Sequence, residues 1–112
     1  MGLGRRHNVY MRIIKPATLQ TYWRRHPTAR ASLEEWLART RAGQWHTLID
    51  LRQTFPSADS VMVASGRSVI VFNIAGNRYR LVTAIHFNTK LVYVLLFLTH
   101  AEYSQDAWKD YL

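Results

Sequence analysis

The segment from residue 68 to residue 98 constrains the fold most, because it contains three strand-like stretches separated only by short turns. These stretches are residues 68–74, 78–87 and 91–98, in which valine, isoleucine and leucine are frequent. Ala75-Gly76-Asn77 and Asn88-Thr89-Lys90 lie between them and have the composition of turns. Since turns of this length join antiparallel neighbours, the sequence predicts an antiparallel meander.

The residues before the meander predict one strand and two helices. Residues 9–14 have the composition of a strand, which Lys15-Pro16 ends. Apolar residues recur at helical spacing in residues 17–26 and again from residue 28 to about residue 42, with Pro27 between the two. We expect these helices to form an αα-hairpin on one face of the sheet. The other face is expected to have no covering layer and to form a cleft.

The remaining segments give weaker patterns. Residues 48–51 are consistent with a short helical turn, residues 61–63 with a strand and residues 99–112 with a short last helix. The predicted fold class is therefore α+β, with an antiparallel sheet, an N-terminal helical hairpin and a short C-terminal helix. Residues 1–10 are expected to form a leader, and residues 11–112 a single domain.

The charge balance points to a polyanionic partner. Fifteen Lys and Arg residues face seven Asp and Glu residues, which gives a net charge of +8. Twelve of the fifteen are arginine, whose planar group of donors matches phosphate oxygens. A solvated surface that only aids solubility is the alternative, but so basic a domain is typical of proteins that bind nucleic acid.

Other classes of protein are excluded by what the chain lacks. It has no cysteine, so disulfides, thiolate metal sites and cysteine nucleophiles are excluded. No apolar run reaches the roughly 18 residues of a membrane span, and the first ten residues contain no apolar stretch typical of a signal peptide. We therefore expect a cytoplasmic protein with no membrane partner.

The strand predicted at residues 78–87 carries the first candidate site. Its two-residue period puts one set of side chains on the open face: Arg78, Arg80, Val82, Ala84 and His86. The other set is expected in the core: Tyr79, Leu81, Thr83, Ile85 and Phe87. Two adjacent guanidiniums repel each other unless an anion such as a phosphate lies between them. The alternative is pairing with a local acid such as Glu102.

The second candidate site follows the last strand, at Thr99-His100-Ala101-Glu102-Tyr103. His100 can transfer protons near neutral pH, and Tyr103 can donate to a phosphate or stack on a base. The same five residues also match a helix capping box formed by Thr99 and Glu102, and both interpretations can hold together. The five histidines lack the spacing of metal ligands, so we expect no metal site and no cofactor.

Two motifs together resemble the HigB family of the RelE toxin superfamily. They are Phe72-Asn73-Ile74-Ala75-Gly76-Asn77-Arg78-Tyr79-Arg80 and Thr99-His100-Ala101-Glu102-Tyr103, within a likeness that runs from about residue 11 to residue 103. The resemblance implies a microbial-RNase-type fold and the toxin role in a type II toxin–antitoxin system. It also implies cleavage of mRNA on the translating ribosome and a HigA-type antitoxin with a helix-turn-helix domain. Residues 61–67 depart from the family pattern, because this loop is longer.

By motif position, Arg80, His100 and Tyr103 match the active-site segments of the family and are the predicted catalytic residues. Arg78, His86 and Lys90 are the predicted RNA-binding residues. Two other functions stay open: a ParE-like toxin that poisons gyrase without nuclease activity, and a basic module that only binds RNA. Binding alone needs cations but no proton-transferring side chains, so the histidine and tyrosine favour the nuclease.

Overall fold

The structure is a computed structural model and describes residues 9–112. The leader expected at residues 1–10 falls mostly on residues 1–8, which lie outside the described residues. Val9 and Tyr10 are exposed, and Met11 begins the buried part of the chain. No helix within residues 9–112 has both the length and the apolar character needed to cross a membrane.

The fold is α+β. In chain order its elements are β1 (Arg12–Ile14), α1 (Ala17–Arg25), a 3-10 turn (Pro27–Ala29), α2 (Arg30–Arg41), α3 (Leu48–Thr54), β2 (Asp59–Met62), β3 (Ser68–Ile74), β4 (Tyr79–His86), β5 (Leu91–Thr99), α4 (His100–Ser104) and a C-terminal 3-10 helix (Ala107–Tyr111). The predicted order of strand, two helices, strands and a last helix is therefore present. The single last helix expected for the tail is instead two short elements, because Asp106 has a left-handed backbone with φ 62° and turns the chain.

The five strands form one sheet in the order β1-β5-β4-β3-β2. Strands β2 to β5 are antiparallel, which confirms the predicted meander. The prediction of a wholly antiparallel sheet is wrong at one edge, because β1 pairs with β5 in parallel, with Ile13 opposite Val92. Parallel neighbours need a long connection, and here most of the chain, including α1, α2 and α3, lies between the two strands.

The larger core lies between one face of the sheet and the helices. Leu33 and Trp36 of α2 are buried there with Phe72 of β3 and Leu81 of β4. The Trp36 and Phe72 rings pack edge to face at 5.4 Å. Burial of Leu33, Trp36 and Leu81 is as predicted, whereas Ile85 and Phe87, expected to be largely buried, are only partly buried at the margin of this core.

A second, smaller core covers part of the opposite face of the sheet, which we expected to lack a covering layer. Its buried members are Val63, Val69, Val71, Val82 and Trp108. Trp108 comes from the C-terminal 3-10 helix. This helix is tied to the β2–β3 connection, because the Ala64 N–H donates to the Lys109 carbonyl at 3.1 Å. Strand β3 is apolar on both of its faces, so burying both faces is favourable. The C-terminal 3-10 helix provides the cover on the second face.

Leu81 allows a test of the larger core, because its side chain is fully buried. Leu81→Ala should lower the free energy of unfolding by about 2–5 kcal/mol, through lost burial and the cavity that remains. Ile49→Ala is the matched control, since Ile49 is 72% exposed, and should change stability by no more than about 0.5 kcal/mol. Urea unfolding followed by circular dichroism measures both. Equal losses in the two variants would contradict the assigned faces of β4.

Candidate active site

Arg80 lies near the start of β4 and is largely buried, with 9% of its surface exposed. Its Nη1 donates to the carbonyl oxygens of Asn77 and Tyr79, both at 3.1 Å. Its Nη2 donates to the Asn77 side-chain oxygen at 2.8 Å. Asn77 can supply two acceptors because the preceding turn has left-handed backbone at Ala75 and Gly76. The turn therefore holds the guanidinium in place.

This burial corrects the expectation that Arg78 and Arg80 lie side by side on an open face. Arg78 precedes β4 and is exposed, whereas Arg80 is covered. Backbone and amide oxygens accept from both terminal nitrogens of Arg80, so the guanidinium can leave water without a carboxylate partner. Four ion pairs join described residues, and none of them includes Arg78, Arg80 or Glu102. The Arg80 charge is thus not neutralised by a contacting acid.

His100 begins α4, directly after β5, and its side chain is exposed. Its backbone N–H donates to the Arg78 carbonyl at 2.8 Å. Its ring Nδ1 lies 3.4 Å from Arg80 Nη2. Since a guanidinium can only donate, a hydrogen bond here requires Nδ1 to accept, as it does in the tautomer with the ring proton on Nε2.

The capping box is also present. The Thr99 N–H donates to Glu102 Oε1 at 2.8 Å, and the Glu102 N–H donates to Thr99 Oγ1 at 3.2 Å. This cap fixes the direction in which α4 leaves β5. The structural and functional interpretations of this segment therefore hold together, because the cap places His100 beside Arg80.

Tyr103 lies between a cation and an aromatic ring. The Arg80 Cζ is 5.4 Å from the centre of the Tyr103 ring. The Trp108 indole stacks on the Tyr103 ring, with 5.3 Å between the ring centres, and the indole N–H donates to the Tyr103 carbonyl at 3.0 Å. The three side chains form a short stack in which Arg80 and Trp108 hold the tyrosine from two sides.

Burial raises the pKa of the Tyr103 hydroxyl above its usual value of 10.0. The carboxylates of Asp59 and Asp106 also raise this pKa, while Lys109 and Arg80 act in the opposite direction. The phenol therefore keeps its proton throughout the neutral range. Tyr103 can act there as a hydrogen-bond donor.

The structure brings together Arg80, His100 and Tyr103 of the six predicted site residues, and Arg78 is adjacent through its backbone. His86 and Lys90 lie at the other end of β4, and the six-residue separation of His86 from Arg80 corresponds to roughly 20 Å of strand. His86 is exposed and packs edge to face against Tyr93 at 5.4 Å.

Lys90 is largely buried and has structural partners. Its Nζ donates to the Trp45 carbonyl at 2.6 Å and lies 3.1 Å from His46 Nδ1. Its RNA-binding role stays a prediction, and these contacts give it a simpler purpose, which is to fasten the β4–β5 turn to the segment after α2. Lys90 is therefore not part of the cluster around Arg80.

Two members of the site were not found from the sequence. The sequence pattern predicted only that Asn77 lies in a turn. An asparagine amide beside a turn glycine is, however, well suited to accept a hydrogen bond from a nearby arginine. Trp108 is a large aromatic residue in a polar tail, which was the available indication that the tail returns to the sheet. Within residues 9–112, no group of three or more His, Cys, Asp or Glu side chains is arranged to hold a metal ion.

A comparison with known families identifies the family of this chain. The sequence model of the HigB toxin family, described as the RelE-like toxic component of a toxin–antitoxin system, matches residues 29–106. The chain belongs to the HigB toxin family. No curated protein matches the chain. The family match includes Asn77, Arg80, His100 and Tyr103, so this HigB-family toxin has its candidate site inside the matched region, whereas Trp108 lies beyond it.

The Tyr103 environment can be tested by alkaline titration of tyrosine absorbance. The difference between the wild type and Tyr103→Phe should show a phenol that titrates above 10.0, because burial opposes its charged form. Trp108→Leu removes the covering ring and should move this midpoint back toward 10.0. Because the folded-state pKa is raised, the stability that Tyr103 contributes is complete below pH 10 and is lost as the pH rises through the folded-state pKa.

The Tyr103→Phe titration must be subtracted from that of the wild type, because burial also raises the pKa of Tyr22. A control titration of Trp108→Leu against Trp108→Leu/Tyr103→Phe isolates Tyr103 in the altered background. A midpoint at the ordinary value in the wild type would contradict the stacked arrangement.

Proposed function

We propose that this toxin is an endoribonuclease that cleaves mRNA on the ribosome, with Arg80, His100 and Tyr103 as its catalytic residues. The observation that carries the proposal is the contact between Arg80 Nη2 and His100 Nδ1 at 3.4 Å, beside a protonated Tyr103. A cation, an imidazole and a phenol in one place are what phosphodiester cleavage requires, whereas simple binding requires only the cation. We place the toxin in the cytoplasm, where mRNA is translated, and expect a microbial-RNase-type fold with α1 and α2 as its helical hairpin.

In the proposed reaction the 2′-oxygen of a ribose bonds to the adjacent phosphorus, and the bond from phosphorus to the 5′-oxygen breaks. The products are a 2′,3′-cyclic phosphate and a free 5′-hydroxyl. The Arg80 charge, which no acid of residues 9–112 neutralises by contact, stabilises the negative charge that develops on the phosphate. The chemistry uses side chains alone and no metal ion.

We assign the proton transfers from the hydrogen bonds. A phosphate oxygen that accepts from Arg80 Nη2 would release His100 Nδ1, whose lone pair could then take the proton of the 2′-hydroxyl. The Tyr103 hydroxyl, protonated at neutral pH, is the group left to donate to the departing 5′-oxygen. Arg80 thus links substrate binding to the activation of His100.

Removing the Arg80 charge or the His100 ring should abolish most cleavage. Arg80→Gln should reduce the rate by about 10²–10³, and His100→Gln by about 10²–10⁴. Primer extension on ribosome-bound mRNA measures the cleavage. Arg39→Gln is the matched arginine control, because Arg39 is exposed and pairs with Glu35 on α2. EDTA should leave cleavage by the wild type unchanged.

Folding must be checked for Arg80→Gln, since this variant loses hydrogen bonds of a buried side chain and should unfold at a lower temperature. The exposed His100 should be replaceable at little cost in stability, so His100→Gln keeps the test decisive. Full cleavage by folded His100→Gln would reject the site. Growth arrest by the wild type without any RNA cleavage would favour the gyrase-poison function instead, and RNA binding with neither effect would favour the basic binding module.

Membership of the family implies an antitoxin partner, and we propose that it is a HigA-type protein with a helix-turn-helix domain. The charge of the toxin is unevenly distributed. Residues 9–43 contain seven Lys and Arg against two Glu, whereas residues 44–112 contain six against five acidic residues. We therefore expect an acidic stretch of the antitoxin to bind along β1, α1 and α2.

Binding driven by this charge should weaken as salt rises, because the Debye length falls to about 8–10 Å near physiological ionic strength. Calorimetry of the purified toxin and antitoxin at low and physiological salt should show a several-fold increase in Kd. Arg24→Gln/Arg25→Gln should reduce this salt dependence, with Arg52→Gln as the control outside residues 9–43. An affinity that does not respond to salt would contradict the electrostatic interface.

A further inference from the structure

The C-terminal 3-10 helix leaves part of the second sheet face uncovered. There, Ala84 and His86 of β4 and Tyr93 and Leu95 of β5 line a depression of about 310 Å³, together with Arg67 from the β2–β3 turn. Leu95 also packs against the smaller core that contains Trp108. The depression is therefore a direct continuation of the face on which Val82 and Arg80 lie.

Tyr93 forms the centre of this depression. It lies opposite Ala84 across the β4–β5 pair, and 36% of its surface is exposed. Its ring packs edge to face with His86, at 5.4 Å and an interplanar angle of 71°. An exposed aromatic ring on a sheet, braced by a neighbour, is a surface on which a nucleobase can stack.

Two arginines lie on either side of this ring. Arg12 of β1 is opposite Leu91 of β5, which is itself opposite His86, so strand pairing places Arg12 on the face of His86 and Tyr93. Arg67 reaches the depression from the other edge of the sheet. Neither arginine is in any of the four ion pairs between described residues. Among residues 9–112, no acidic residue lines the depression.

We propose that this surface is a second RNA-binding site, in which a base of single-stranded RNA stacks on Tyr93 and the flanking phosphates pair with Arg12 and Arg67. The inference rests on the proposed function, because it assigns another contact to the same RNA. Tyr93 is opposite Ala84, four residues from Arg80, so the stacking ring lies on the face of Arg80 at roughly 13 Å along β4. It is thus outside the cluster around Arg80, and it holds the strand without taking part in the chemistry.

The experiment measures binding separately from cleavage. The probe is a fluorescein-labelled single-stranded 2′-O-methyl RNA of about twelve nucleotides, which cannot be cleaved because the attacking hydroxyl is blocked. Anisotropy gives Kd for the wild type, Tyr93→Ala, Tyr93→Phe and Tyr111→Ala. Tyr111 is the matched control, since it is 84% exposed and lies in the C-terminal 3-10 helix. Circular dichroism verifies the fold of each variant.

Loss of one stacked base should raise Kd for Tyr93→Ala by about 5- to 150-fold. Tyr93→Phe, which keeps the ring, and Tyr111→Ala should bind like the wild type. Arg12→Gln/Arg67→Gln should weaken binding and flatten its dependence on salt. An RNA duplex of the same sequence should compete poorly, because its bases are already stacked.

An unchanged Kd for Tyr93→Ala would overturn the proposal, as would a duplex that competes as well as the single strand. Either result could occur while the wild type still cleaves mRNA, in which case only the second site is rejected. Conversely, Tyr93-dependent binding by a toxin that cleaves no RNA would support this site and reject the nuclease function. The two proposals therefore fail separately.

Discussion

The hydrogen bonds of the Arg80 guanidinium connect the three parts of the chain on which the candidate site depends. They join β4 to the turn that precedes it through Asn77, and they reach α4 through the His100 ring. A guanidinium can be buried only where its donors find acceptors. Asn77 provides two, both of them neutral. The result is a positive charge that is fixed in position and that no acid in the described part of the chain neutralises by contact. This arrangement favours a bound phosphate.

The C-terminal segment gives the site its second support. Trp108 covers the smaller core and at the same time stacks on Tyr103. Packing that buries the valines of β3 and β4 therefore also determines where the tyrosine ring lies and why its pKa is raised. Trp108 lies beyond residues 29–106, which the family model matches.

The excess positive charge and the candidate catalytic residues belong to different segments of the chain. Most of the excess positive charge belongs to residues 9–43, whereas Arg80, His100 and Tyr103 lie in the nearly balanced segment that follows. Long-range attraction to a polyanion and short-range catalysis have different requirements, since the first depends on summed charge and the second on a few fixed groups. A surface that associates with anionic partners can thus vary without disturbing the side chains that would perform the reaction.

Local patterns in the sequence were enough to predict the meander of β3, β4 and β5, the faces of β4 and the capping box at Thr99 and Glu102. Each depends on residues that are close in the chain, whose periodicity and hydrogen bonds repeat in any fold that contains them. The two motifs also identified the family, and with it Arg80, His100 and Tyr103. In contrast, only the structure showed that the His100 and Tyr103 side chains lie against the Arg80 guanidinium.

Only the tertiary structure decided the parallel pairing of β1 with β5, the burial of Arg80, the structural role of Lys90 and the return of Trp108 to the sheet. Each depends on contacts between residues far apart in the sequence, such as Lys90 with Trp45. The Lys90 side chain could point to solvent or donate to a distant carbonyl, and its neighbours in the chain are identical in both cases. Arg80 has local acceptors in Asn77 and Tyr79, but the Tyr103 ring that lies against it is distant in the sequence. The choice is made by which distant groups the packed sheet and helices bring into contact with each side chain.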